Sequence, residues 1–430
     1  MLSSILVIRK YINNKFFSNS LWMIAEKIIS IFGLLFVTSY VAKYIGPANF
    51  GKLNYVASIF IIVQAISSLG SEHVLFRRIA RNRISGINLM VSTTALRHIS
   101  FIIIGMLVLI YLNFNSDSIT FYFGVATAVA YYFSAIDIFS IYNNATLNSK
   151  LNTYCNIIGL LVGLVTRYFI VLYELDILYL TVPIISVTLI PYLLKRYLFF
   201  KNNLFFKKKI IHKKKYNLYF IKTGGPLALS SVSAILYTRM VLFIIMAYCG
   251  PKDLGVFSVA NQLATSWMFI TSAFIVSYFS KIYLEKNHEL ALNMAAKLNG
   301  LIFLCAFIIL SLLMLFGGYI IDILYGADYQ ASYHLMLILC INTLFSCMGP
   351  VASKFIIFNS GFSYLSLKMI ITLLISLPIA FFLTINFGVT CASISTVITE
   401  LLSLTVLNYF FKKGLILKLH CNSLKINTYR

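Results

Sequence analysis

Charge is scarce in this chain. Only 11% of its 430 residues are Asp, Glu, Lys or Arg, and 60% are hydrophobic. A water-soluble protein of this length needs far more polar surface to cover its core, so a soluble enzyme is excluded. Acids are scarcer still, 12 against 35 Lys and Arg, for a net charge of +23. The seven cysteines stand singly, mostly inside apolar runs, and the closest pair, Cys340 and Cys347, has no histidine placed beside it. That spacing predicts neither a metal site nor a disulfide framework, but small buried apolar side chains. No Ser/His/Asp grouping, Gly-rich phosphate loop or metal-ligand cluster occurs. Residues 1–18 carry Arg9, Lys10 and Lys15 but no small-residue cleavage site, which predicts an uncleaved cytoplasmic leader.

What fills the chain is apolar runs. Six fall at about 19–43, 54–74, 88–112, 119–143, 153–173 and 177–197. Six more follow at about 223–248, 256–280, 291–317, 332–352, 365–385 and 389–411. Each is close to the roughly 20 residues a membrane helix requires, and none is long enough to cross twice. The basic residues set the orientation. With the N-terminus inside, twenty-six Lys and Arg lie in cytoplasmic segments, and only Lys43, Lys52 and Lys252 lie outside. Both termini are therefore expected in the cytoplasm, and topology absorbs most of the charge without any nucleic acid partner. The basic stretch around 199–222, with aromatic residues interleaved, reads as a linker that fixes topology and is compatible with anionic headgroups.

The two sets of six share a motif. Residues 44–54 read YIGPANFGKLN and residues 248–258 read YCGPKDLGVFS, so Tyr44, Gly46, Pro47 and Gly51 align with Tyr248, Gly250, Pro251 and Gly255. Both are the outside turn after the first helix of a half, where proline and glycine suit a tight turn. The expected architecture is an all-α polytopic membrane protein of about twelve helices. Its parts are a first six-helix bundle (1–197), a basic linker (198–222), a second bundle (223–411) and a basic tail (412–430). Six is even, so the bundles share an orientation and a pseudo-two-fold axis along the membrane normal, an arrangement that suits a transporter.

Ionisable groups within spans are expensive and usually face a bundle interior or a wet cavity. Six bases lie in spans: Lys27, Arg97, Arg167, Arg239, Lys297 and Lys368. Snorkelling accounts for Lys297 and Lys368, which begin their spans, and also suits Lys27. Arg97, Arg167 and Arg239 lie deeper, and with Lys27 they are the candidates for a cationic lumen. The acids in spans or at their ends are Glu26, Glu72, Asp137 and Glu400. Glu400, near the middle of the last span, pairs with a base or carries a proton. An excess of buried positive charge implies an anionic ligand, because guanidinium groups bind phosphates and carboxylates bidentately. Tyrosines such as Tyr131, Tyr132, Tyr329 and Tyr333 suit interfacial belts or packing better than sugar stacking.

The turn YIGPANFG, its echo CGPKDLGVFS and the stretch IIDILYGADYQASYHLMLIL at 320–339 resemble the polysaccharide-export branch of the multidrug/oligosaccharidyl-lipid/polysaccharide exporter superfamily, and within it O-antigen flippases of the Wzx type. The resemblance runs along nearly the whole chain. It implies movement of an undecaprenyl-pyrophosphate-linked oligosaccharide from the inner to the outer leaflet of a bacterial inner membrane. It also implies alternating access driven by a proton or sodium gradient, no cofactor, and partnership with an O-antigen polymerase and a chain-length regulator. Arg239, in YTRMV, matches a position often followed two residues later by an acid in related sequences; Val241 stands there instead. Glu400, Glu26 and Asp137 are left as ion-coupling candidates.

Two other classes are weighed. A major-facilitator exporter also has six plus six helices, but the loop between its second and third helices carries a Gly-x-x-x-Asp-Arg pattern, where this chain reads FRRIARNRISG. A membrane polymerase needs a sizeable outside loop, and the longest here, about 318–331, is short.

Overall fold

The computed structural model describes residues 15–202, 213–283, 285–423 and 425. The leader, residues 203–212 of the basic linker, the end of the tail and the side chain of Lys27 lie outside the described residues. The described chain is helical throughout. In order come α1 (Lys15–Ser68), α2 (Ser71–Arg81), α3 (Arg83–Ser92), α4 (Thr94–Asn115), α5 (Ser118–Ile136), α6 (Ile138–Ala145), α7 (Ser149–Leu172) and α8 (Thr181–Asn202). Then follow α9 (Lys213–Tyr248), α10 (Pro251–Thr265), α11 (Met268–Ile282), α12 (His288–Leu324), α13 (Ser332–Ser346), α14 (Gly349–Phe358), α15 (Phe362–Leu404), α16 (Val406–Tyr409) and α17 (Leu415–Ser423).

Among the described residues ten helical stretches are long and apolar enough to cross a membrane. Two helices contain a break: α1 at Gly46 (φ 73°, ψ 167°) and α15 at Gly388 (φ 75°, ψ −162°). Counting the arms of each separately gives the twelve apolar segments expected. Several helix ends differ from the expected spans. The run at 54–74 stops at Ser68, and Gly70 turns the chain into the separate amphipathic helix α2, which carries Arg77, Arg78 and Arg81. The run at 88–112 is interrupted at Thr93, between α3 and α4, and the run at 119–143 at Asp137, between α5 and α6.

The packing is that of a lipid-facing protein. On α4 only Arg97, Phe101, Gly105 and Leu112 are buried, a single stripe at helical spacing. Ile103, Met106, Leu107 and Phe114 are more than half exposed, a surface for acyl chains rather than water. The chain forms two compact units, Met1–Tyr44 with Val56–Ile235 and Ile45–Tyr55 with Leu236–Arg430. In the first, α7 lies close against α8 because Gly159 and Gly163 leave room for Pro191 and Val187; a Cβ at Gly159 would sit 2.4 Å from the proline ring. An aromatic cluster of Phe139, Tyr142, Tyr192 and Phe199 closes one end of that unit.

In the second unit the two copies of the repeated turn meet. Gly46 (φ 73°) and Gly250 (φ 90°, ψ 175°) take a backbone conformation open essentially only to glycine, and Pro47 and Pro251 follow, where a helix start needs no N–H. Gly51 and Gly255 are not part of the bend. Each sits one helical turn further on, where a Cβ would lie 1.9 Å from the carbonyl oxygen of the other copy's proline: Gly51 against Pro251, Gly255 against Pro47. The second glycine of the motif therefore serves a reciprocal backbone contact. Phe50 packs edge-on to Tyr329, and Ser332 donates to the Val256 carbonyl at 2.9 Å. These contacts tie the 320–339 stretch to the same place. Tyr329 is fully buried there, in a packing role.

Of the cysteines, Cys155, Cys340 and Cys347 are buried as expected, but Cys421 is exposed on α17; all seven are free thiols. No group of three or more possible metal ligands occurs among the described residues.

Candidate functional site

The second unit has a polar interior inside an apolar exterior. On the first arm of α15 the buried residues Lys368, Thr372, Ser376, Ala380 and Thr384 recur every four positions, so one stripe of the helix turns polar atoms inward. The second arm adds Ser395, Thr399 and Ser403. Against these helices and α9, α10 and α13 lies a cavity of about 280 Å³, lined among others by Tyr237, Arg239, Asn261, Asn342, Ser376, Thr396 and Glu400. At about 30 Å³ per molecule it has room for roughly nine waters. With Arg239 and Glu400 in its wall, it accommodates a charged group.

Arg239 and Glu400 are the one ionic pair of types that the cavity wall supplies. The Tyr237 hydroxyl donates to Glu400 Oε2 at 2.5 Å, which fixes the carboxylate. The buried Lys368 is within electrostatic reach of Glu400. Arg239 makes no hydrogen bond or ion pair among the described residues, so its five donors are free for a ligand. The wall hydroxyls are committed differently: Thr265 donates to Asn261 O, Ser376 to Leu373 O, Thr396 to Ser393 O and Thr399 to Ser395 O. With their protons spent on their own helices, they offer lone pairs to the cavity. Asn342 Oδ1 is buried without a partner. The wall thus combines one guanidinium for an anion with a carboxylate and several oxygen acceptors for a proton or small cation.

The remaining candidates from the sequence lie elsewhere. Arg97 is 1% exposed and sits at the break between α3 and α4, donating to Met90 O at 3.2 Å and to Thr93 Oγ1 at 3.0 Å. Its face lies over the Phe220 ring, and its Nε has no partner. It joins the Thr94 hydroxyl on the Met90 carbonyl at that break, and it lines neither this cavity nor the one in the first unit. Arg167, on α7, has a buried Nη1 without a partner. Glu26 accepts from Asn156 Nδ2 at 2.5 Å and from Thr153 Oγ1 at 3.3 Å. Asp137 is bound up in structure: it caps α6 through the Ser140 amide and pairs with the buried Lys195 at 2.6 Å. Among the candidates whose side chains are described, only Arg239 and Glu400 share a cavity. Tyr237, Asn342 and the hydroxyl wall were not singled out in the sequence, although the four-residue recurrence from Lys368 to Thr384 was a readable signal.

Two helical units with apolar exteriors make a multi-pass membrane protein, and the second unit holds a polar, charge-bearing cavity. Its fold is similar to that of solved transporters of the MOP superfamily. A family model described as polysaccharide biosynthesis protein matches residues 16–283, and the chain belongs to that family. Among solved structures it is similar to the lipid II flippase MurJ in an inward closed conformation, with TM-score 0.71, 15% identity, and 94% of this chain and 90% of that one covered. It is also similar to an inward-facing multidrug resistance MATE family transporter, with TM-score 0.65, 13% identity, and 94% and 98% covered. A third match is a MOP superfamily transporter from Pyrococcus furiosus, for which a reverse polarity of the binding pocket suggested a different function, with TM-score 0.59, 15% identity, and 95% and 97% covered. A search of curated proteins gives no match.

Proposed function

We propose that this transporter flips an undecaprenyl-pyrophosphate-linked oligosaccharide, the repeat unit of O-antigen or a similar surface polysaccharide, from the cytoplasmic to the periplasmic leaflet of a bacterial inner membrane. The observation that carries this reading is the free guanidinium of Arg239 beside the anchored carboxylate of Glu400 in one small cavity. A diphosphate cannot enter hydrocarbon unassisted, because each desolvated polar group costs several kcal/mol. Arg239 replaces part of that lost hydration with charge-assisted hydrogen bonds while the isoprenoid tail stays in lipid. Arg167, whose buried Nη1 has no partner, is a second candidate for an anion contact. Membership of a polysaccharide biosynthesis family supports a glycan cargo.

Glu400 is the coupling group in this reading, with Glu26 as second candidate. Neutralising Glu400 with a proton or a sodium ion leaves Arg239 uncompensated and strengthens the cavity's hold on an anion. The gradient of that ion then biases the cycle, and no cofactor takes part. Both termini lie in the cytoplasm in this reading, and the polymerase and chain-length regulator that use the product are the expected partners. The test is a deletion strain of the native host, assayed for surface polysaccharide and for lipid-linked units by leaflet. Loss of the glycan with single units trapped in the inner leaflet is expected. Units accumulating in the outer leaflet would mark a polymerase, and an unchanged glycan would favour a small-molecule exporter.

A further inference from the structure

The first unit holds a second cavity, of about 460 Å³, bounded by α3, α4, α6 and α8 with the end of α5. Most of its wall is apolar: Met90, Val91, Ile136, Phe139, Phe199 and Phe200. Val91 is 40% and Phe200 48% exposed, so the groove is open along a side that belongs to membrane-spanning helices. Two cationic or titratable groups stand in it, Arg196 and His98. Arg196 is exposed and, among the described residues, makes one long contact, to the Tyr192 hydroxyl at 3.4 Å. His98 holds Tyr132 Oη through Nδ1 at 2.7 Å and has no described partner on Nε2. The charges acting on His98 are those of Arg97 and Arg196, both positive. Asp137, between the wall residues Ile136 and Ile138, is already taken by Lys195 at 2.6 Å. The groove therefore carries uncompensated positive charge above a greasy floor.

We propose that this groove binds an anionic phospholipid of the leaflet that faces the basic segments, its phosphate on Arg196 and His98 and one acyl chain along the Phe139–Phe199–Phe200 wall. A free phosphate would find the wall too apolar. A diphosphate would need more than one arginine and one histidine, and no cluster of amides or hydroxyls stands ready for sugars. Charge complementarity favours an anionic over a zwitterionic headgroup, since basic residues at this membrane level attract anionic lipid. The site is independent of the cargo assigned to the second unit.

Native mass spectrometry of the full-length protein in detergent, titrated with dioleoyl-phosphatidylglycerol or dioleoyl-phosphatidylcholine, tests this. The wild type is expected to retain phosphatidylglycerol preferentially. Arg196→Gln is expected to weaken that binding at least about tenfold, the loss of one charge-assisted bond. Lys201→Gln, the same charge change on the same helix but outside the groove, is expected to change it less than twofold. Should Arg196→Gln fail to fold, Val91→Trp, which fills the groove from its open edge and keeps both bases, carries the same expectation of loss. Equal effects of the two glutamine variants, or none from either, would overturn the proposal. So would undecaprenyl phosphate displacing phosphatidylglycerol in an Arg196-dependent manner, which would make the groove a site for the lipid carrier.

Discussion

Replacing Gly51 by alanine places a methyl group 1.9 Å from the Pro251 carbonyl oxygen. Ordinary contact begins near 3.5 Å, so the two turns must part by about 1.5 Å. Backbone meets backbone there, and no side chain can swing aside. Overpacking of this kind costs typically 1–3 kcal/mol, and the rigid partner puts Gly51→Ala at about 3. Gly51 is helical, so alanine returns up to about 1 kcal/mol through helix propensity. The net loss is about 2 kcal/mol, or about 4–8 °C in melting temperature for a unit of some 200 residues. Heating the detergent-solubilised protein and following the folded fraction by size exclusion reads this directly. Gly225→Ala is the control, since a Cβ there meets nothing within 4 Å; its melting point is expected unchanged or slightly raised. Gly255→Ala should match Gly51→Ala, and the double variant should lose less than the sum, because one opening admits both methyls. Gly51→Ala melting with the wild type would refute the close contact between the two turns.

Arg239→Ala is expected to lower export at least about tenfold with protein level unchanged, the value of one charge-assisted pair to phosphate; normal export would remove the anion site from this cavity. Glu400→Gln keeps an acceptor for Tyr237 but loses the charge, so transport into vesicles should no longer respond to an imposed proton or sodium gradient, and an undiminished response would rule out Glu400 as the coupling group. Lys195→Met strands Asp137 and should cost about 3 kcal/mol, with Asp137→Asn added to it recovering part; equal melting points would show the pair is dispensable. His420, on α17 beyond the last span, is pushed down to about 4 by burial and by the charge of Lys368. The unfolded form therefore binds the proton first as pH falls, so α17 docking is full above about pH 6.5 and weakens towards pH 4. Hydrogen exchange over 415–423 should rise across that window, and a flat profile would contradict it.

The helical fold was legible because membrane helices announce themselves by length and hydropathy alone. The paired turns were legible as a motif, but not the second glycine's task, since a contact between residues two hundred positions apart leaves no local signal. Arg239 and Glu400 could be singled out because each interrupts a long apolar run. Arg97 and Asp137 interrupt runs just as conspicuously, yet both serve helix breaks, at Thr93 and at Asp137 itself. Which face of a helix a residue takes, and whether the helix is continuous, depend on neighbours the sequence does not juxtapose. The hydroxyl wall escaped for the opposite reason: serine and threonine are common in membrane helices, and only their shared stripe on α15 distinguishes them.

The residues 45–55 pack with the C-terminal unit although they precede nearly all of the other one in the chain. The polypeptide thus leaves the first unit at Tyr44, returns at Val56 and leaves again at Ile235. Gene halves divided at the basic linker would not coincide with the bodies that fold. The N-terminal half would carry away Pro47 and Gly51, and the C-terminal half would keep Pro251 and Gly255 with no counterpart to clasp. The second body is thus completed by a turn borrowed from the first half of the chain, and the loan runs in one direction only.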